Sequence, residues 1–255
     1  MTQEPALVLL HGFTGNARSF SALGLKHAHT PLLTGHGPSP DLTSQSFDQE
    51  VERIARALSR HAAPVHLVGY SMGARVALGV ALQHPLLVER LSLLGVNPGL
   101  QTEVERQERL NWESRWQDVL EVDGLAVFEH KWSALPLFAS QARLPAAVQA
   151  AQRAERLGNT AWGLSHALSV LGLASMPNLW PQLHQLRLPV QLIVGEFDQK
   201  FLDIAQTMSN HSELFRVTCL PQVGHNPVLE APERVRALLL PAATDPMTPS
   251  IGHDR

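Results

Sequence analysis

Residues 65–75 read Val65-His66-Leu67-Val68-Gly69-Tyr70-Ser71-Met72-Gly73-Ala74-Arg75. The apolar run Val65–Val68 leads into Gly69-Tyr70-Ser71-Met72-Gly73, and a helical pattern over Met72–Gln83 follows at once. Strand, G-x-S-x-G turn and helix in immediate succession make a nucleophile elbow, which lifts a serine hydroxyl above the edge of a sheet. The glycines have a steric job, because a Cβ two residues either side of the serine would meet neighbouring backbone. Ser71 is therefore the expected reactive hydroxyl. The backbone N–H of Met72, the next residue, is one expected oxyanion donor.

Outward from this turn, short apolar runs alternate with helical ones, which predicts parallel βαβ units. Candidate strands are Ala6–Leu10, His29–Leu33, Val65–Gly69, Leu91–Gly95, Pro189–Gly195 and Phe215–Leu220. The run Phe47–Ser59 places Val51, Ile54, Ala55 and Leu58 at helical spacing, and Glu233–Leu240 reads the same way. Between Asn97 and Leu188 the alternation stops. That stretch carries Trp112, Trp116, Trp132, Trp162 and Trp180 and has apolar residues at helical intervals. The expected organisation is an α/β core over 1–96 and 189–240, with a helical cap over 97–188. The stretch 241–255, rich in Pro, Thr and Asp and without periodicity, is expected to be disordered.

A serine hydroxyl needs a histidine to take its proton and an acid to fix the imidazole tautomer. The chain order Ser…Asp/Glu…His selects Asp198, just past the run Val190–Val194, and His225, just past Val217–Leu220. Glu196 and Asp203 are the rival acids. Asp198 and His225 both follow the C-terminal ends of strands, the edge where open parallel sheets bind ligands, whereas Asp203 reads as already helical. A second oxyanion donor is expected from His11-Gly12-Phe13-Thr14-Gly15, after the first strand, with the Phe13 N–H as the candidate. His11 is read as holding that loop, His36 as a turn residue and His84 as a helix end.

Composition narrows the alternatives. In 255 residues, 44% are hydrophobic, which excludes disorder for the bulk of the chain. The 20 Lys+Arg against 23 Asp+Glu leave a net charge of −3, without the basic domain of a nucleic-acid binder. One cysteine, Cys219, excludes an internal disulfide framework and fits a reducing compartment. No apolar run is long enough for a membrane span, and the acidic start, Met1–Pro5, does not read as a signal peptide. A cytoplasmic protein is expected, with its oligomeric state open.

The order His11-Gly12-Phe13, Gly69–Gly73, Asp198, Gly224-His225 resembles the α/β-hydrolase superfamily over nearly the whole chain. Further motifs resemble the MenH family, the 2-succinyl-6-hydroxy-2,4-cyclohexadiene-1-carboxylate synthases. They are Gly69–Arg75, Asn97-Pro98-Gly99-Leu100, Trp132-Ser133-Ala134-Leu135-Pro136-Leu137-Phe138, Gly195–Phe201 and Gly224-His225-Asn226. The resemblance implies an α/β-hydrolase fold, a mostly parallel sheet flanked by helices with a helical cap inserted between strands. It also implies a lyase of menaquinone biosynthesis that eliminates pyruvate from a 5-enolpyruvoyl precursor with a Ser71-His225-Asp198 triad, without metal or organic cofactor. The hydrolase reading, a carboxylesterase or C–C bond hydrolase with the same triad, is the alternative.

The family's substrate carries three carboxylates, so a chain of net charge −3 needs a local cationic pocket. Arg75 lies one helical turn after Ser71, on the same face. Arg109 and Arg153 match the family's anion-binding arginines by their spacing from the shared motifs. Tyr70, the one tyrosine, and Trp132 fall at pocket positions, and Phe138 and Trp162 are further candidates. Arg106, Arg115, Arg143 and Arg156 are expected on solvated helix faces. Three positions depart from the family pattern: Ser133 where some members have tyrosine, Thr34 where proline is commoner, and Ala74 for a frequent glycine. Ser133 bears on one substrate contact.

Overall fold

The computed structural model describes residues 5–240. Five apolar runs form one sheet: β1 (Leu7–Leu10), β2 (Val65–Tyr70), β3 (Val88–Leu94), β4 (Val190–Gly195) and β5 (Phe215–Leu220). They pair in that order and every pairing is parallel. In β1 to β4 most side chains alternate between two buried faces, as a sheet covered on both sides requires, while Arg216 and Cys219 of the edge strand β5 are exposed. Leu10, Leu67, Leu93 and Leu192 pack against α1 (Phe47–Leu58) and α2 (Met72–Gln83). Leu9, Val68, Leu94 and Ile193 pack on the other face against Phe20, Leu23 and Val235. Each such side chain contributes about 1.5–3 kcal/mol of burial.

The expected strand at His29–Leu33 does not form. His29 alone pairs, donating to Leu7 O at 2.9 Å and accepting from Leu9 N–H at 2.8 Å. Pro31, two residues on, has no N–H, so the ladder cannot continue. The segment becomes a loop along the edge of β1.

Between β3 and β4 every regular element is helical: α3 (Glu103–Asp118), α4 (Leu125–Ser133), α5 (Ala146–Leu157) and α6 (Ala161–Leu171), with short helical turns among them. Thr102 and Glu105 cap α3 reciprocally: the Glu105 N–H donates to Thr102 Oγ1 at 3.2 Å and the Thr102 N–H to Glu105 Oε2 at 2.9 Å. The stretch has its own apolar cluster around Leu120, Phe128, Trp132, Phe138, Leu164 and Leu168. Its two ends are pinned together. Leu179 N–H donates to Pro98 O at 2.8 Å and Trp180 Nε1–H to Gly99 O at 3.0 Å. The remaining helices are α7 (Gln199–Ser209), α8 (Pro227–Glu230) and α9 (Pro232–Leu239).

Among the described residues, no helix is long and apolar enough to cross a membrane. The expectation of disorder at 241–255 falls outside the described residues. Register sets up the site. Leu10 pairs with Gly69, Tyr70 with Leu94, Leu94 with Ile193 and Gly195 with Leu220. The residues after these strand ends therefore emerge along one edge of the sheet.

Candidate active site

Ser71 sits between β2 and α2 at φ 50°, ψ −108°, a conformation that non-glycine residues rarely adopt. Such strain costs of order 1–3 kcal/mol and persists where surroundings over-determine it. The surroundings here are tight. A Cβ on Gly69 would lie 2.5 Å from Ala74 Cα, and one on Gly73 would lie 2.5 Å from His11 O. The Ser71 N–H donates to Leu94 O at 2.8 Å, tying the turn to β3.

His225 reaches both expected partners. Its Nδ1 is 2.6 Å from Asp198 Oδ2 and its Nε2 is 3.1 Å from Ser71 Oγ. A carboxylate only accepts, so Nδ1 carries the proton and Nε2 is left to accept from the serine. Asp198 and His225 are buried and Ser71 half-buried. Backbone bonds lock the two loops together: Glu196 N–H donates to Leu220 O at 3.0 Å and Phe197 N–H to Val223 O at 2.9 Å. The Glu230 carboxylate grips both sides of His225, accepting from Gly224 N–H at 2.7 Å and Asn226 N–H at 3.1 Å. The rival acids are spent elsewhere, Glu196 on Gln222 N–H and Asp203 on the Gln199 amide.

Met72 opens α2, so its N–H is among those with no partner inside the helix. The loop carrying Phe13 is fixed from beneath. Leu33 N–H donates to His11 Nε2 at 3.2 Å, so His11 Nδ1–H donates to Gly12 O at 2.9 Å. Burial holds His11 at about 3, with His36 adding to the fall. Burial holds His36, whose ring centroid is 4.7 Å away, at about 4. Both imidazoles are neutral at physiological pH and act as packing.

Phe13, Met72, Ser71 and His225 open onto a cavity of about 240 Å3. Its apolar wall includes Trp132, Phe138 and Phe201, and its charged lining is Arg75, Arg109, Lys200 and Glu113. Arg75 is buried, and its side-chain partner is the weakly accepting Met176 Sδ at 3.8 Å. Burial pulls its guanidinium down to about 10, with Glu113 opposing the fall and Arg109 adding to it, so it stays charged at neutral pH. Arg109 donates from Nε to Glu113 Oε1 at 2.7 Å and lies 4.2 Å over the Trp112 ring. Glu113 also accepts from Leu173 N–H at 2.7 Å, which fixes this buried carboxylate. Tyr70 lines the cavity beside His225, and burial pushes its phenol up. Trp132 stands amid Phe13 and Trp116, each 5.1 Å away, and stacks on Phe128 at 5.4 Å.

Four readings of the helical stretch need correction, those of Arg153, Arg156, Arg106 and Trp162. Arg153 lies outside this cavity, 61% exposed, on a groove lined by α4 and α5, where its Nε meets Glu129 Oε2 at 3.2 Å. Arg156, expected in solvent, is buried. Its guanidinium lies 5.2 Å over Phe138 and lines a small recess with Tyr70 and Phe13, residues it shares with the main cavity. The three-residue step along α5 puts both arginines on neighbouring faces, and only packing on Phe138 distinguishes them. Arg106 is likewise partly buried, donating to the carbonyls of Ala174 and Met176. Lys200, on the cavity lining, had no periodic signal. Glu113 had one, since it stands four residues after Arg109 on a helix. Trp162 is exposed, and Ser133 turns its hydroxyl to His130 O at 3.1 Å, outside the main cavity.

The sequence pattern described as the alpha/beta hydrolase family matches residues 7–238. The 2-succinyl-6-hydroxy-2,4-cyclohexadiene-1-carboxylate synthase of Salmonella agona (strain SL483) is 34% identical over 237 residues, covering 91% of this chain and 90% of that protein. The protein of the same name from Enterobacter sp. (strain 638) is 32% identical, covering 92% of this chain and 90% of its own. The solved structure of MenH from S. aureus superposes with a TM-score of 0.88 at 30% identity, covering 94% of this chain and 93% of that one. The chain belongs to the alpha/beta hydrolase family and, within it, to the MenH family of these relatives.

Proposed function

We propose that this enzyme is a lyase of menaquinone biosynthesis, eliminating pyruvate from 2-succinyl-5-enolpyruvoyl-6-hydroxy-3-cyclohexene-1-carboxylate. The observation that carries the reading is the charge of the cavity. Three cationic side chains, Arg75, Arg109 and Lys200, face it against the single carboxylate of Glu113, in a chain of net charge −3. Arg156 adds a fourth cation in the adjoining recess and takes the place expected of Arg153. Desolvated carboxylates need such partners, and the guanidinium fork grips them bidentately. The aromatic wall suits the ring, and the helical stretch 97–188 serves as the cap that supplies Trp132, Phe138, Arg109 and Arg156, while Arg75 and Lys200 come from the sheet side.

In this reading Ser71 Oγ, bonded to His225 Nε2, takes the proton from the carbon next to the succinyl carbonyl. The proton passes to His225, and Asp198 stabilises the imidazolium. The oxygen that gains charge is met by the Phe13 and Met72 N–H groups. As the carbonyl re-forms, the electron pair moves through the ring double bond and the ring carbon–oxygen bond breaks. Pyruvate leaves as its enolate and takes up the proton held on His225. No group outside the chain and substrate is required for this balance.

The test is direct turnover. The pure protein is mixed with the enolpyruvoyl precursor and pyruvate release is followed, with short-chain nitrophenyl esters as the counter-assay. Pyruvate release with slow ester cleavage is the expected result. Fast ester cleavage without pyruvate would assign the same triad to a serine hydrolase.

A further inference from the structure

The turn that presents the Phe13 N–H is strained, and its restraint comes from the helical stretch. Gly15 N–H donates to Gly12 O at 3.0 Å, closing a β-turn over Gly12-Phe13-Thr14-Gly15. Thr14 has φ 67° while Phe13 is not among the residues of positive φ, the pattern of a type II turn. Its third position ordinarily takes glycine or asparagine, and a β-branched threonine there is a backbone outlier.

Asn159, just past the C-terminal end of α5, holds this turn from outside. It is buried, and both ends of its amide are engaged. Nδ2 donates to Thr14 O at 2.9 Å and to Arg156 O at 3.1 Å, and Oδ1 accepts from Gly37 N–H at 2.8 Å. The Gly37 N–H can only donate, which fixes the orientation of the amide. The neighbouring Glu155 carboxylate accepts from Asn16 N–H at 3.0 Å and from the Ser19 hydroxyl. The last turn of α5 thus clasps the segment just after Phe13 at several points. Backbone strain persists only where surroundings over-determine it, and Asn159 hydrogen-bonds the strained residue itself.

We propose that Asn159 is a positioning residue. By holding the Thr14 carbonyl it keeps the turn in the conformation that aims the Phe13 N–H at the reacting oxygen. The proposal rests on the reading of Phe13 as an oxyanion donor. A donor matters more in the transition state than in substrate binding, so the loss should fall on kcat rather than KM. Asn159→Ala is expected to lower kcat about tenfold with KM within about twofold. Asn159→Asp keeps an acceptor for Gly37 but cannot donate to Thr14; it should lose a similar factor and covers a failure of the alanine variant to fold. Thr14→Gly removes the strain, so in the Asn159→Ala background it should restore kcat by at least about threefold.

The rates are measured on whichever reaction the unmodified protein performs, pyruvate release or ester hydrolysis, since both develop an oxyanion. Absence of pyruvate release from the unmodified protein overturns the function and leaves the variant ratios to judge Asn159. Asn159→Asp at undiminished kcat, a loss confined to KM, or no recovery with Thr14→Gly would each overturn the proposal.

Discussion

The sheet edge and the helical stretch above it both place charged or reactive groups within a few ångströms of one cavity, by different physics. At the sheet edge, backbone does the placing. Ser71 is held by a turn with no room for a Cβ on either flanking glycine, and His225 by a loop whose N–H groups are gripped on both sides. In the helical stretch, side chains place one another. Arg109 is set by Glu113, Arg156 by Phe138 and Glu129, and Trp132 by a ring of aromatics. Backbone placement is rigid, and the residues that require it, Gly69 and Gly73, lie within the turn itself. Side-chain placement depends on contacts between helices far apart in the chain. Substitutions at the sheet edge should therefore remove chemistry, and substitutions of the cavity-facing side chains of the helical stretch should remove binding and orientation; Asn159, which reaches across to the turn after β1, belongs with the first group.

The largest effect is expected from the first group. Ser71→Ala and His225→Ala should each lower kcat by at least about 10³-fold and by similar factors, because the two act as one unit. Steady-state kinetics of the two variants checks this. Losses differing by more than about a hundredfold would break the coupling assigned to the 3.1 Å contact.

Acid should act on the sheet side as well. His11 is held at about 3 and His36 and His66 at about 4, all by burial, against 6.5 when exposed. The unfolded chain takes up these protons first, so stability is complete above pH 6.5 and falls as pH drops from 6.5 toward 4. Each buried histidine removes roughly 2 kcal/mol at pH 5. Urea midpoints at pH 7 and pH 5 measure the total. His66 meets Ser92 Oγ at 2.8 Å, and His66→Gln should lessen the acid loss by about one histidine's share. An acid loss unchanged in that variant would show that His66 is not held neutral by the sheet.

In the helical stretch and beside it, Arg75→Ala and Arg156→Ala should each cost about 10²-fold in kcat/KM, about 2.7 kcal/mol, with the triad intact. The sharper measurement is cleavage of a neutral ester. It should fall far less than pyruvate release, because a neutral substrate makes no use of the guanidinium. Equal losses in both assays would mean that these arginines support the triad rather than the substrate.

The contrast between backbone and side-chain placement also governs what could be read beforehand. The sheet, its flanking helices and the turn at Ser71 were legible because Gly69, Gly73 and the apolar runs announce backbone geometry directly. Asp198 shared its place after β4 with Glu196 and Asp203, and the structure brings Asp198 to His225 while the other two bond elsewhere. His29–Leu33 misled, since its apolar residues looked like a strand while Pro31 removed the donor that would extend the ladder. Arg153 and Arg156 could not be ordered from periodicity, because their burial is decided by Phe138 and Glu129 on other elements. Asn159 carried no signal in the sequence, because its contacts with Thr14 and Gly37 span 145 and 122 residues of chain.

The smallest expected effect discriminates best between the two arginines of α5. Glu129 is buried and receives both, Arg153 at 3.2 Å and Arg156 at 3.7 Å. Arg153 is 61% exposed, so its pair is screened by solvent and contributes about 0.2–1 kcal/mol of stability. Removing it leaves Glu129 paired with Arg156 and leaves the cavity lining untouched. Arg153→Ala should therefore keep kcat/KM within about threefold of the unmodified protein and shift the thermal midpoint by no more than about 3 °C. Arg156→Ala, three residues away on the same helix, removes the cation over Phe138 and should fall into the hundredfold class. A loss beyond about tenfold for Arg153→Ala, with Arg156→Ala nearly silent, would reverse the assignment and place the anion contact on the outer groove.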